Sequence, residues 1–223
     1  MTKRFIAIAG NVGVGKSTLT TLLSQRLGWE PFFEAVDDNP YLADFYQDMQ
    51  RWSFHSQVFF LSRRLRHHRK LLEHPTSVVQ DRSVYEDAEV FARNLYSQGH
   101  MGERDYRSYR ELYEVLTGFL PPPDLVLYLQ ASVETLQRRI NKRGRVFERD
   151  ISAEYLDQLN ELYEAWIRDF DLCPVLTVPA DSLDFVDVPQ HLDLVISKVQ
   201  DKLSGKDVMV FPTPDPKPTK ATS

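Results

Sequence analysis

The stretch Gly10–Ser17, GNVGVGKS, restricts the architecture of this chain more than any other. It fits G-x-x-x-x-G-K-[ST] in the diagnostic context: the apolar run FIAIAG (5–10) enters it, and a helical pattern from Lys16 to Leu27 leaves it. In such a loop, glycines let main-chain N–H groups turn inward around phosphate oxygens, and the helix N-terminus adds its dipole. Gly10, Asn11, Val12, Gly13, Val14, Gly15, Lys16, Ser17 and Thr18 are therefore the candidate residues around a nucleoside triphosphate. Lys16 offers a point charge to the β- and γ-phosphates, and Ser17 a hydroxyl to Mg2+. A chance glycine-rich turn would need neither the strand nor the helix.

The rest of the chain alternates in the same manner. Apolar, β-rich runs recur as WEPFF (29–33), VVQ (78–80), LVLYL (125–129) and PVLTV (174–178), with helical patterns between them. Near-continuous apolar strands alternating with helices argue for an α/β fold, a parallel sheet with helices on both faces. Gly28 stops the first helix, which carries Leu19, Leu22, Leu23 and Leu27 on one face. Asn39–Pro40 reads as an N-cap followed by Pro at the first helical position. Helices are expected from Asp105 to Phe119, from the Ser132 cap to about Arg143, from the Ser152 cap to about Phe170, and from Pro189 to Leu203. One domain, 1–205, is expected, with 206–223 a disordered Pro- and Thr-rich tail.

Composition narrows the partners. A net charge of −5 excludes a chain-wide basic surface, so no nucleic acid is expected and an anionic ligand must meet a local positive cluster. The single cysteine, Cys173, excludes an intrachain disulfide and reads as a small buried residue in a reducing compartment. The run RFIAIAG is broken at Asn11, too short for a signal peptide or a span, so no membrane and a cytoplasmic location are the expectation.

A triphosphate site serves hydrolysing switches and phosphotransferases alike. A switch of the common GTPase type would carry Asn-Lys-x-Asp after a later strand, where this chain has Gln130–Ala131–Ser132. A kinase needs an arginine-bearing lid, because transfer spreads negative charge over the equatorial oxygens while water is excluded. RRINKRGR supplies Arg139, Arg143 and Arg145 at a helix end broken by Gly144, with Arg139 and Arg143 on one face. A basic helix end favoured by the helix dipole is the plainer reading of that segment alone.

One helix, around WSFHSQVFFLSRRL (52–65), mixes scaffold and polar residues. Phe54, Val58, Leu61 and Leu65 form its apolar stripe. Gln57 and Arg64, one heptad apart, lie within ~20° in azimuth along the stripe's edge, and Arg63 turns away.

Taken together, GNVGVGKST, FFEAVDDNPYL, FYQDMQRWSFHSQ, QDRSVYED and RRINKRGRVFE resemble the deoxynucleoside kinase family, and most of all its bacterial deoxyadenosine/deoxycytidine branch. The resemblance implies a P-loop kinase fold with a five-stranded parallel sheet and an Arg-rich lid, usually in a dimer. It implies transfer of a phosphoryl from ATP or another NTP, with Mg2+, to a deoxynucleoside 5′-hydroxyl. Glu34, just past the second strand, is implied as the base that takes the hydroxyl proton. The family often has Glu-Pro-Val here, and this chain has Glu34–Ala35–Val36. Asp81 is implied as the second Mg2+ anchor opposite Ser17, and Arg82 as a contact to the reacting phosphate. Tyr46 and Glu148 are implied around the sugar 3′-hydroxyl, Asp87 as the partner of Arg64 at the base, and Phe91 as a ring that stacks on it. Gln57, with donors and an acceptor, is suited to a base edge.

The base stays open between adenine, cytosine and guanine, so a deoxyguanosine kinase remains an alternative. A thymidylate-type monophosphate kinase would meet repulsion between Glu34 and an acceptor phosphate. A non-catalytic nucleotide-binding module would have no use for the lid arginines and Asp81. His67 and His68, among Arg66, Arg69 and Lys70, are expected on a solvated basic helix end, and Phe59 at a dimer contact.

Overall fold

The computed structural model describes residues 2–33, 39–145 and 151–205. Five parallel strands, β1 (Phe5–Gly10), β2 (Glu30–Phe32), β3 (Val78–Asp81), β4 (Leu125–Gln130) and β5 (Val175–Pro179), form one sheet in the order β2-β3-β1-β4-β5. Every residue of the central β1 is buried, as its uninterrupted apolar sequence requires when helices cover both faces.

Alternation along β1 splits the core in two. Ile6 and Ile8 join Val79, Leu125, Leu127 and Leu129 beneath Leu19 and Leu23 of α1 (Lys16–Leu27), Leu136 of α7 (Val133–Arg143) and Val195 of α9 (Pro189–Leu203). Phe5, Ala7 and Ala9 face the other way, with Val78, Val126 and Tyr128. There they meet Leu61 of α3 (Met49–Glu73), Tyr109 of α6 (Glu103–Thr117) and Tyr163 of α8 (Ala153–Asp169). The alanines of β1 leave room for that aromatic layer. Among the described residues no helix is long and apolar enough to cross a membrane.

Several expectations shift. The Asn39–Pro40 pair precedes a turn, and α2 (Leu42–Gln47) starts two residues past the Pro. Asn39 still caps locally: its Oδ1 accepts from the Tyr41 amide at 2.9 Å while its Nδ2 donates to Ser56 Oγ at 2.9 Å. Helix α6 runs two residues ahead of the expected span. The helix that begins at Val84 is α only for α4 (Val84–Glu86). It widens into a π-helical turn, Asp87–Ala92, before resuming as α5 (Arg93–Ser97). His68 is 1% exposed, not solvated: its ring meets Phe5 edge-on at 5.4 Å and packs between α3 and β1. Cys173 is half-buried. Residues 206–223 lie outside the described residues.

Candidate active site

β3 ends at Asp81, opposite Ile8 and two residues short of the end of β1 at Gly10, and the two strand ends open into a cavity of about 1000 Å³. Strand ends in an open parallel sheet feed their loops into such a crevice. Val12, Gly13, Lys16 and Ser17 line it on the phosphate-loop side, with Asp81 and Arg82 beside them. Tyr46, Gln57, Arg64, Asp87 and Phe91 line the other side, and Arg143 and Arg145 reach it from α7.

The loop between β1 and α1 is tightly tethered. Gly10 has φ +143°, and a Cβ there would stand 2.6 Å from the carbonyl of Leu129, so no other residue fits. Asn11 Nδ2 donates to Leu156 O and to Asn160 Oδ1, both at 2.8 Å on α8, while its Oδ1 accepts from the Val12 amide at 2.7 Å. Lys16 Nζ donates to the carbonyls of Gly10 (2.7 Å) and Asn11 (3.0 Å), which sets the ammonium inside the curl of the loop. Arg139 stands elsewhere than the sequence suggested. Its guanidinium donates to Val14 O (2.6 Å) and Ala180 O (2.8 Å), bracing the loop from behind, and it is not among the residues lining the cavity. Arg143 and Arg145 flank Gly144, whose left-handed φ of +71° ends α7 and turns the chain.

Ser17 Oγ donates to Asp81 Oδ2. Asp81 Oδ1 is buried and has no hydrogen-bond partner among the described residues. A hydroxyl beside a carboxylate with a spare buried oxygen is a donor set suited to Mg2+. Arg82 is the described non-glycine residue with positive φ, +66°, held there by its amide donating to Ile8 O at 3.0 Å. Its guanidinium lies 4.3 Å from the centroid of Phe91.

On the far side, Gln57 and Arg64 are each 6% exposed, deeper than the half-buried Phe54 of the apolar stripe. Arg64 forms a bidentate fork with Asp87, Nε to Oδ2 at 3.0 Å and Nη2 to Oδ1 at 3.2 Å. Arg63 lies instead over the ring of Phe59, 5.1 Å from its centroid. Asp87 and Phe91 both sit in the π turn, and both line the cavity. Tyr46 lines it too but is 53% exposed. Glu34 and Glu148 lie outside the described residues, yet Phe33 before the one, and Arg145 and Ile151 around the other, all line the cavity.

Two site residues were not among the sequence candidates, although Ser83-x-x-Glu86 fits a capping box. Tyr155, three residues past the Ser152 cap, lines the cavity, and burial pushes its phenol up to about 12. Glu86, fully buried, joins the loop to α8 (below).

The strand order, the Gly-rich loop between β1 and α1 and the arginine-bearing helix end beyond it define a P-loop kinase fold. The family model for deoxynucleoside kinases matches residues 6–204, and the chain belongs to that family. It is 40% identical over 196 residues to the deoxyadenosine/deoxycytidine kinase of Bacillus subtilis, covering 87% of this chain and 90% of the relative. The deoxyguanosine kinase of the same organism is 38% identical over 189 residues, covering 83% and 90%. Among solved structures, the deoxyadenosine kinase of M. mycoides with the products dCMP and dCDP superposes with a TM-score of 0.78 at 32% identity. That match covers 88% of this chain and 99% of that one.

Proposed function

We propose that this kinase transfers the γ-phosphoryl of ATP, with Mg2+, to the 5′-hydroxyl of deoxyadenosine and deoxycytidine, as a cytoplasmic homodimer in nucleotide salvage. The observation that carries the base side is the buried Arg64–Asp87 fork beside Gln57, across the cavity from the phosphate loop. An amide next to a fixed guanidinium offers donors and an acceptor at one base edge, which suits adenine and cytosine as well as guanine. The names of the Bacillus subtilis relative at 40% identity and of the M. mycoides structures support the same pair.

The roles proposed rest on the cavity lining for the described residues and on the family resemblance for Glu34 and Glu148. Ser17 and Asp81 hold Mg2+, which when bound neutralises charge on the transferring phosphate. Lys16, Arg143 and Arg145 add fixed positive charge around the donor. Glu34 takes the proton of the 5′-hydroxyl, and Arg82 orients the acceptor oxygen. Tyr46 and Glu148 flank the 3′-hydroxyl and Phe91 stacks on the base.

Side-by-side initial rates of the four natural deoxynucleosides with ATP and Mg2+ test this. Deoxyadenosine and deoxycytidine are expected to lead, and Glu34→Gln to abolish most turnover while ATP binding persists. A clear preference for deoxyguanosine would make the chain a deoxyguanosine kinase instead.

A further inference from the structure

Glu86 is a carboxylate with no exposed surface, and the mechanism above gives it no task. Its two oxygens are used in opposite directions. Oε1 accepts from the Ser83 amide at 2.9 Å, closing the capping box at the start of α4. Oε2 accepts from the Gly10 amide at 3.2 Å and from the Tyr163 hydroxyl at 2.7 Å. Ser83 follows Arg82, the residue in the left-handed turn, and Gly10 opens the phosphate loop. Tyr163 lies one turn from Asn160, which holds Asn11 in the same loop.

We infer that Glu86 is a positioning residue that fixes the phosphate loop and the Arg82 turn against one another, with Tyr163 holding its loop-side oxygen. The chemistry requires a carboxylate. Two main-chain N–H groups arrive on two different oxygens, and a glutamine amide has only one acceptor, so one N–H would face an NH2. An aspartate is one methylene too short to reach both. Burial pushes the Glu86 carboxyl up, while Arg82, Lys16, Tyr163 and Ser83 pull it down. A packing role would be filled by an apolar side chain without any buried charge.

The inference rests on the phosphate loop as the ATP site, and wild-type ATP·Mg2+ binding by calorimetry tests that point first. In Tyr163→Phe, which removes one oxygen, KM and Kd for ATP·Mg2+ are expected to rise about fivefold, the size of one hydrogen bond. The dissociation constant of deoxyadenosine alone should move less than twofold, because Gln57, Arg64 and Asp87 make no contact with Glu86 in the hydrogen bonds described. In Glu86→Gln one of the two main-chain N–H groups loses its acceptor and the loop and the Arg82 turn are no longer tied together, so a tenfold or larger rise in KM for ATP should come with a fall in kcat. Should Glu86→Gln fail to fold, Tyr163→Phe decides alone. Unchanged ATP affinity in folded Tyr163→Phe, or equal weakening of ATP and nucleoside, would overturn the role of Glu86. A wild-type chain that binds no ATP would overturn the site beneath it as well.

Discussion

Gln57 occupies a position on α3 where a leucine would pack without needing any partner. A buried amide is costly unless it is hydrogen-bonded, so its retention beside the cavity points to a ligand rather than to stability. Gln57→Ala should raise KM for the deoxynucleoside about tenfold and leave KM for ATP within twofold, by steady-state kinetics with each substrate varied; equal rises would reduce the helix to scaffold. The stacking of Gln57 on Arg64 was legible because a heptad fixes azimuth. Their depth was not, since azimuth alone does not say what covers that edge; Asp87, expected there only through the family resemblance, comes from the π turn in a different part of the chain. Arg139 shows the converse. Its i,i+4 spacing from Arg143 was correct, but spacing says nothing of what stands opposite, which is the Val14 carbonyl.

Among the elements, those with a chemical stop and start were readable. Gly28 and Gly144 end α1 and α7 in left-handed conformation, and Ser132 and Ser152 accept from Thr135 and Tyr155 amides at the starts of α7 and α8. Helix α6 has no such side-chain cap, and its expected start was two residues late. The π turn left no trace either, because its residues suit an α-helix equally well and only the i→i+5 bonding distinguishes them. The Ser132 cap has a second grip: its amide and hydroxyl both donate to Asp181, at 2.9 and 3.0 Å. Helix α7 carries Arg143 at its far end, so the cap supports the lid. Ser132→Ala should cost about 1 kcal/mol in urea unfolding. The same variant should raise KM for ATP more than KM for the nucleoside.

At the scale of the molecule, stability should depend on pH through His68. Burial holds this imidazole below its ordinary value of 6.5, against a hydrogen bond to the Pro121 carbonyl. The folded state thus favours the neutral ring. Its contribution is fully present above pH 6.5 and is lost as pH falls from there through the depressed folded value. Thermal unfolding followed from pH 8 down to about pH 5 should show a shallower decline in His68→Asn than in the wild type. Identical slopes would show that His68 does not govern the acid side. The sheet itself was legible as parallel and helix-covered from its apolar runs, and the burial of His68 was not, because its neighbours in sequence are all basic.

The strand order also bears on how the protein is made. β1 precedes the other four strands of its sheet in the chain, and it is the middle strand of that sheet. Its two neighbours begin only at Val78 and Leu125. Until Leu125 and its strand have emerged, a six-residue apolar ribbon therefore waits with at least one edge unpaired, and parallel pairing over such separations forms slowly. Unpaired apolar edges are where chains stick to one another. The hazard of edge-to-edge sticking for this kinase is thus concentrated in its nascent life.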